Sequence, residues 1–62
     1  MNKLGVENFK KTVSIGDELS VNTREYSYYG NVTSIDADSF EIDEGGLKFN
    51  IYYAHVWAYS IH

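Results

Sequence analysis

The run Tyr26-Ser27-Tyr28-Tyr29-Gly30-Asn31-Val32-Thr33-Ser34-Ile35, followed by Phe40-Glu41-Ile42-Asp43-Glu44-Gly45-Gly46-Leu47-Lys48-Phe49-Asn50-Ile51-Tyr52-Tyr53 and then Val56-Trp57-Ala58-Tyr59-Ser60-Ile61, decides the fold. It is filled with aromatic and β-branched residues in period-two alternation, and turn residues break it into pieces of strand length. Phe40 and Ile42 point one way, Glu41 and Asp43 the other. Leu47, Phe49, Ile51 and Tyr53 alternate with Lys48, Asn50 and Tyr52. Asp36-Ala37-Asp38-Ser39 is a turn by composition, and Glu44-Gly45-Gly46 closes a hairpin because paired glycines supply the positive φ that tight turns require. A short break at Ala54-His55 precedes the last strand.

Working outward, Glu18-Leu19-Ser20-Val21-Asn22 alternates with Leu19 and Val21 inward, and Asn22-Thr23-Arg24-Glu25 makes the loop that follows. The spacing predicts strands over about 18–22, 26–35, 40–43, 47–53 and 56–61. Gly30, in the middle of the second, predicts a bend or bulge. Before them, Val6, Phe9 and Val13 recur at helical spacing with Glu7, Lys10 and Lys11 opposite, which predicts one short amphipathic helix over about 6–13 that lids an open end of the barrel, the alternative being a basic arm that contacts a partner. The order, a helix and then five strands with short connections, excludes parallel crossovers and predicts an antiparallel meander. At 62 residues it forms a single domain spanning 1–62. The expected fold is therefore mostly β: a five-stranded antiparallel SH3-like small barrel with a short N-terminal helix. Leu19, Val21, Val32, Phe40, Ile42, Phe49 and Ile51 are its expected core.

The runs Gly30-Asn31-Val32-Thr33-Ser34-Ile35-Asp36, Asp38-Ser39-Phe40-Glu41-Ile42 and Ile51-Tyr52-Tyr53-Ala54-His55-Val56 resemble the corresponding core-and-turn pattern of Sm-like proteins, which also place a helix before five strands. Tyr53-Ala54-His55 is similar to the Tyr-Lys-His motif of bacterial Sm-like RNA chaperones, with Ala54 where the lysine stands. The resemblance implies an Sm-like barrel, a tendency to pair edge strands into a homo-oligomeric ring, and RNA contacts at Tyr53 and His55 with Lys10 and Lys11 adding positive charge. The loop Asp36-Ala37-Asp38-Ser39 lacks the asparagine that Sm proteins set against a base and adds an acid there, which makes RNA the second reading.

Charge and composition narrow the rest. The chain has no cysteine, so neither disulfides nor a thiol nucleophile nor a Cys-based zinc site enters, and a reducing, cytoplasmic setting fits. No apolar run approaches the length of a membrane helix and no leader pattern is seen, so no membrane partner is expected. Residues 1–12 carry Lys3, Lys10 and Lys11 against Glu7, a net +2, while residues 13–62 carry eight acids against Arg24 and Lys48, a net −6; together they give the chain's −4. An acidic body repels phosphate.

No chemistry-bearing motif stands out. His55 and His62 are the only imidazoles and lack a metal-ligand spacing. The acids from Asp36 to Glu44 do not follow the Ca²⁺-loop pattern, no serine sits on a Gly-x-Ser-x-Gly turn, and no Gly-rich loop leads into a helix. The sequence therefore predicts a non-enzymatic protein with no catalytic residue, metal or cofactor.

What remains is tyrosine, six in 62 residues, joined by Trp57. Tyr28 and Tyr29 face opposite sides of one strand, as do Tyr52 and Tyr53 of another, so at least one ring of each pair is outward. Outward aromatic rings in an acidic surround predict a protein partner carrying basic groups, bound through Tyr28, Tyr29, Tyr52, Trp57 and Tyr59 with Asp43 and Glu44. A freestanding chain of this size fits a phage- or mobile-element-type inhibitor or accessory protein. The alternative is the Sm-like RNA-binding ring.

Overall fold

A computed structural model describes all 62 residues, Met1–His62. Helix α1 spans Lys3–Thr12, followed by strands β1 (Glu18–Thr23), β2 (Ser27–Ile35), β3 (Ser39–Glu44), β4 (Leu47–Tyr52) and β5 (Val56–Ile61), with a single 3₁₀ turn, Tyr53–His55, between β4 and β5. The helix begins earlier than the Val6 spacing indicates because the Asn2 side chain caps it, its Oδ1 accepting from the Gly5 N–H at 2.8 Å. Tyr53 leaves β4 for the 3₁₀ turn.

All five strands form one antiparallel sheet in the order β4-β3-β2-β1-β5. Two expectations are corrected here. The meander holds only from β1 to β4, because β5 returns to lie beside β1. The sheet is also not closed into a barrel: the 3₁₀ turn redirects the chain away from β4, no ladder joins β4 to β5, and each is left as an edge. The curl comes from irregularities at two places. Between Val32 and Ser34 the β2–β3 register slips, leaving Thr33 unopposed, and between Asn22 and Thr23 the β1–β5 register slips at Trp57.

Gly30 serves a different purpose from the expected bulge, which lies three residues later. A Cβ at Gly30 would stand 2.8 Å from the Asp43 carbonyl carbon, so only glycine lets β2 and β3 approach this closely. The β3–β4 hairpin follows the sequence reading. Glu44 opposes Leu47, and Gly45 and Gly46 take φ of 60° and 98°, both in the range that a type I′ turn requires.

One core cluster forms on the inner face: Leu19 and Val21 from β1, Val32 from β2, Phe40 and Ile42 from β3, Ile51 from β4, and Tyr53 and Val56 beside them, with Phe9 and Val13 supplied by the helical end. Phe49 packs against this cluster partly buried. The helix does lid the core. Phe9 is wholly buried, with its ring 4.7 Å from Phe40, 5.4 Å from Tyr53 and 5.0 Å from Tyr59. The helix is far too short to cross a membrane, and no other helix is long and apolar enough to do so.

Candidate binding cleft

Three segments that are remote in sequence converge around one cleft. The β1–β2 turn is tied by the Thr23 N–H donating to the Tyr26 carbonyl at 2.8 Å and by the Thr23 hydroxyl donating to the same oxygen at 3.0 Å. The end of β4 brings Asn50 and Tyr52. The 3₁₀ turn and the irregular start of β5 bring Ala54, His55 and Trp57. Between them lies an open cleft of about 540 Å³ whose aromatic lining is Tyr26, Tyr28, Tyr52, His55 and Trp57.

Each ring is exposed for an identifiable reason. Trp57, 73% exposed, sits at the register slip between β1 and β5, so its side chain has no cross-strand neighbour to cover it. Tyr52, 51% exposed, alternates with the buried Ile51 and meets His55 edge-on at 5.7 Å. Tyr26, 62% exposed, precedes β2 and stands 6.1 Å from Tyr28, whose ring continues inward to Phe49 at 5.2 Å. The cleft is thus floored by a ring anchored to the core and rimmed by rings held only from one side. Arg24 and Glu25, at its turn, balance each other in charge.

The residues expected to bind a partner divide between three places. Tyr28, Tyr52 and Trp57 come together in the cleft. Tyr29 lies on the outer sheet face, 47% exposed, its hydroxyl donating to Glu18 Oε2 at 2.6 Å and its N–H to Glu44 Oε2 at 3.3 Å. That bond to Glu18, with the carboxylate's charge, raises the Tyr29 pKa and keeps the phenol protonated. Asp43 is near this face and accepts the Gly46 N–H at 2.7 Å, securing the hairpin. Tyr59 is half-buried beneath the helix against Phe9.

The alternative RNA set separates similarly. Tyr53 is buried, its hydroxyl donating to the Asp36 carbonyl at 2.9 Å, and burial first, then the charges of Asp36 and Asp38, raises its pKa. Lys10 lies 5.5 Å above its ring and donates to the Ala37 carbonyl at 3.2 Å. Lys11 is exposed on the last helical turn. His55 faces the aromatic cleft instead.

Tyr26, Arg24 and Asn50 line the cleft without having been singled out from the sequence. Tyr26 shares strand parity with Tyr28, a signal that was legible. The approach of the β1–β2 turn to the 3₁₀ turn depends on the curl of the whole sheet and leaves no local trace. The cleft offers no nucleophile paired with a base; what it offers is apolar and π surface with a few polar groups at the rim. No family model, curated protein or solved structure matches this chain.

Proposed function

We propose that the protein is a non-enzymatic binding module, an inhibitor or accessory subunit that docks on a protein partner through the aromatic cleft. The observation that carries this reading is the convergence of Tyr26, Tyr52 and Trp57, each more than half exposed, around the half-buried Tyr28. Rings with few rotors lose little conformational entropy when covered, and their burial gives a large apolar contribution; for that reason they dominate binding hot spots. The net charge of −4 favours partners carrying basic groups and disfavours polyphosphates. The test is capture of a partner by the tagged protein, repeated with Trp57→Ala and Tyr52→Ala. Both variants should keep the native circular dichroism spectrum and lose the partner.

A second reading, an Sm-like homo-oligomeric ring that binds RNA, draws support from the strand order, which leaves β4 and β5 as two free edges able to pair between copies. It predicts a concentration-dependent oligomer that co-purifies with nucleic acid and releases it steeply as salt rises. A monomer with a protein-only absorbance ratio would eliminate it.

A further inference from the structure

The cleft and the free edge of β4 are continuous, and that continuity identifies the shape of what fits. The Tyr53 N–H donates to the Asp38 carbonyl at 3.1 Å, and Asp38 and Tyr53 continue the β3–β4 register in which Ser39 opposes Tyr52. Antiparallel pairs alternate between those that exchange hydrogen bonds and those whose backbone groups turn away from each other. With Tyr53 bonded to β3, the same holds for Ile51, Phe49 and Leu47. The N–H and C=O groups of Lys48 and Asn50, and the N–H of Tyr52, therefore point away from the sheet along its open edge. Asn50 and Tyr52 also line the aromatic cleft.

Charge selects among extended segments. The turn beside the cleft is neutral, with Arg24 against Glu25, and the helical end, where the Met1 ammonium, Lys3 and Lys10 gather with Glu7 and Asp38, is net positive. The β3–β4 hairpin that presents the edge carries Glu41, Asp43 and Glu44 against Lys48 alone. Lys48 reaches Glu41 only at 4.0 Å. The aromatic rims add the negative faces of their rings, which attract ammonium and guanidinium groups.

We infer that the occupant of the cleft is an extended, basic peptide segment of a partner protein, added as a sixth strand to the edge of β4, with an apolar or cationic side chain seated among Tyr26, Tyr28 and Trp57. Main-chain hydrogen bonds to Lys48, Asn50 and Tyr52 hold it, and the alternate side chains confer selectivity. This inference rests on the docking reading above and specifies its partner.

The probe is a synthetic octapeptide alternating lysine with valine, titrated against the full chain. Trp57, the only tryptophan, reports by fluorescence, and amide NMR reports on the edge. The expected result is a fluorescence change with the largest amide shifts at Lys48, Asn50 and Tyr52. N-methylation of the peptide amides on one edge should weaken binding about tenfold or more, as loss of backbone bonds requires, while N-methylation of the other edge leaves it unchanged. Replacing lysine by glutamate should abolish binding. Asn50→Pro removes only an outward N–H from an edge strand, a position where proline is tolerated, and should weaken binding while the fold survives.

Absence of peptide binding, or binding indifferent to N-methylation and to Asn50→Pro, overturns the strand-addition inference. If a protein is nevertheless captured through Trp57, the docking reading stands without it. If Trp57→Ala alters neither peptide binding nor protein capture, both fail.

Discussion

The rings of Phe9 and Phe40 meet with centroids 4.7 Å apart and an interplanar angle of 39°, both wholly buried, so this contact ties the helix to β3. Phe9 touches three rings and is the only aromatic residue of α1. Truncating a buried phenylalanine to alanine costs about 3–5 kcal/mol. A core of this size rarely supplies more than about 3–5 kcal/mol in total. Phe9→Ala is therefore expected to be largely unfolded at room temperature by circular dichroism, and Phe9→Leu folded with a lower urea midpoint. A native urea midpoint for Phe9→Ala would show that the helix contributes nothing to the core.

Gly30 is predicted to be intolerant of even a methyl group. The added Cβ would crowd the Asp43 carbonyl, and backbone on a paired strand cannot yield as a flexible side-chain end does. Gly30→Ala is expected to cost about 1–3 kcal/mol, the range for overpacking, seen as a lowered thermal midpoint with loosened amide protection in β2 and β3.

The hairpin glycines should differ from each other. At Gly45, φ of 60° is the left-handed region that asparagine also enters, and Asn-Gly is a favoured type I′ pair. Gly45→Asn is expected to leave stability unchanged or raise it by up to about 1 kcal/mol by restricting the unfolded chain. Gly46→Val, at φ 98°, is expected to destabilise by about 1–3 kcal/mol. Urea denaturation of the two variants side by side checks the order.

Alkaline pH should lower the stability of the protein through Tyr53. Its pKa is raised above the ordinary tyrosine value of 10.0, so the folded state holds the phenolic proton more tightly than the unfolded chain. The stability this contributes is fully present below pH 10 and is lost as pH rises through the raised value. Tyr53→Phe removes the bond to the Asp36 carbonyl, costing about 1 kcal/mol at neutral pH, and should flatten the alkaline fall in stability. Tyr29 titrates in the same direction through Glu18, and Tyr29→Phe serves as the exposed control.

Much of this architecture was legible because each strand announces itself locally. Alternation placed Leu19, Val21, Val32, Phe40, Ile42 and Ile51 inside, and the paired glycines placed the β3–β4 turn. It also separated Tyr52 from Tyr53 and Tyr28 from Tyr29. What was not legible depends on relations between strands. The position of β5 beside β1, the open gap beyond β4, and the register slip that exposes Trp57 are set by sheet curl, which no single segment encodes. The same limit applied to the site. Parity required only that one ring of each tyrosine pair face outward; the fold alone brings Tyr52 and Trp57 beside Tyr26 and Arg24, ties the Tyr29 hydroxyl to Glu18 and packs Tyr59 against Phe9 of the helix.

Docking through the aromatic cleft is tested most directly by comparing partner capture by the native protein, Trp57→Ala and the outer-face control Ser60→Ala, all from the same cell lysate and all shown folded by circular dichroism. The predicted result is one stoichiometric, nucleic-acid-free protein retained by the native chain and by Ser60→Ala, with affinity for Trp57→Ala lowered about thirtyfold or more, as befits a central aromatic anchor. Undiminished capture by Trp57→Ala, or an eluate dominated by nucleic acid, would contradict it.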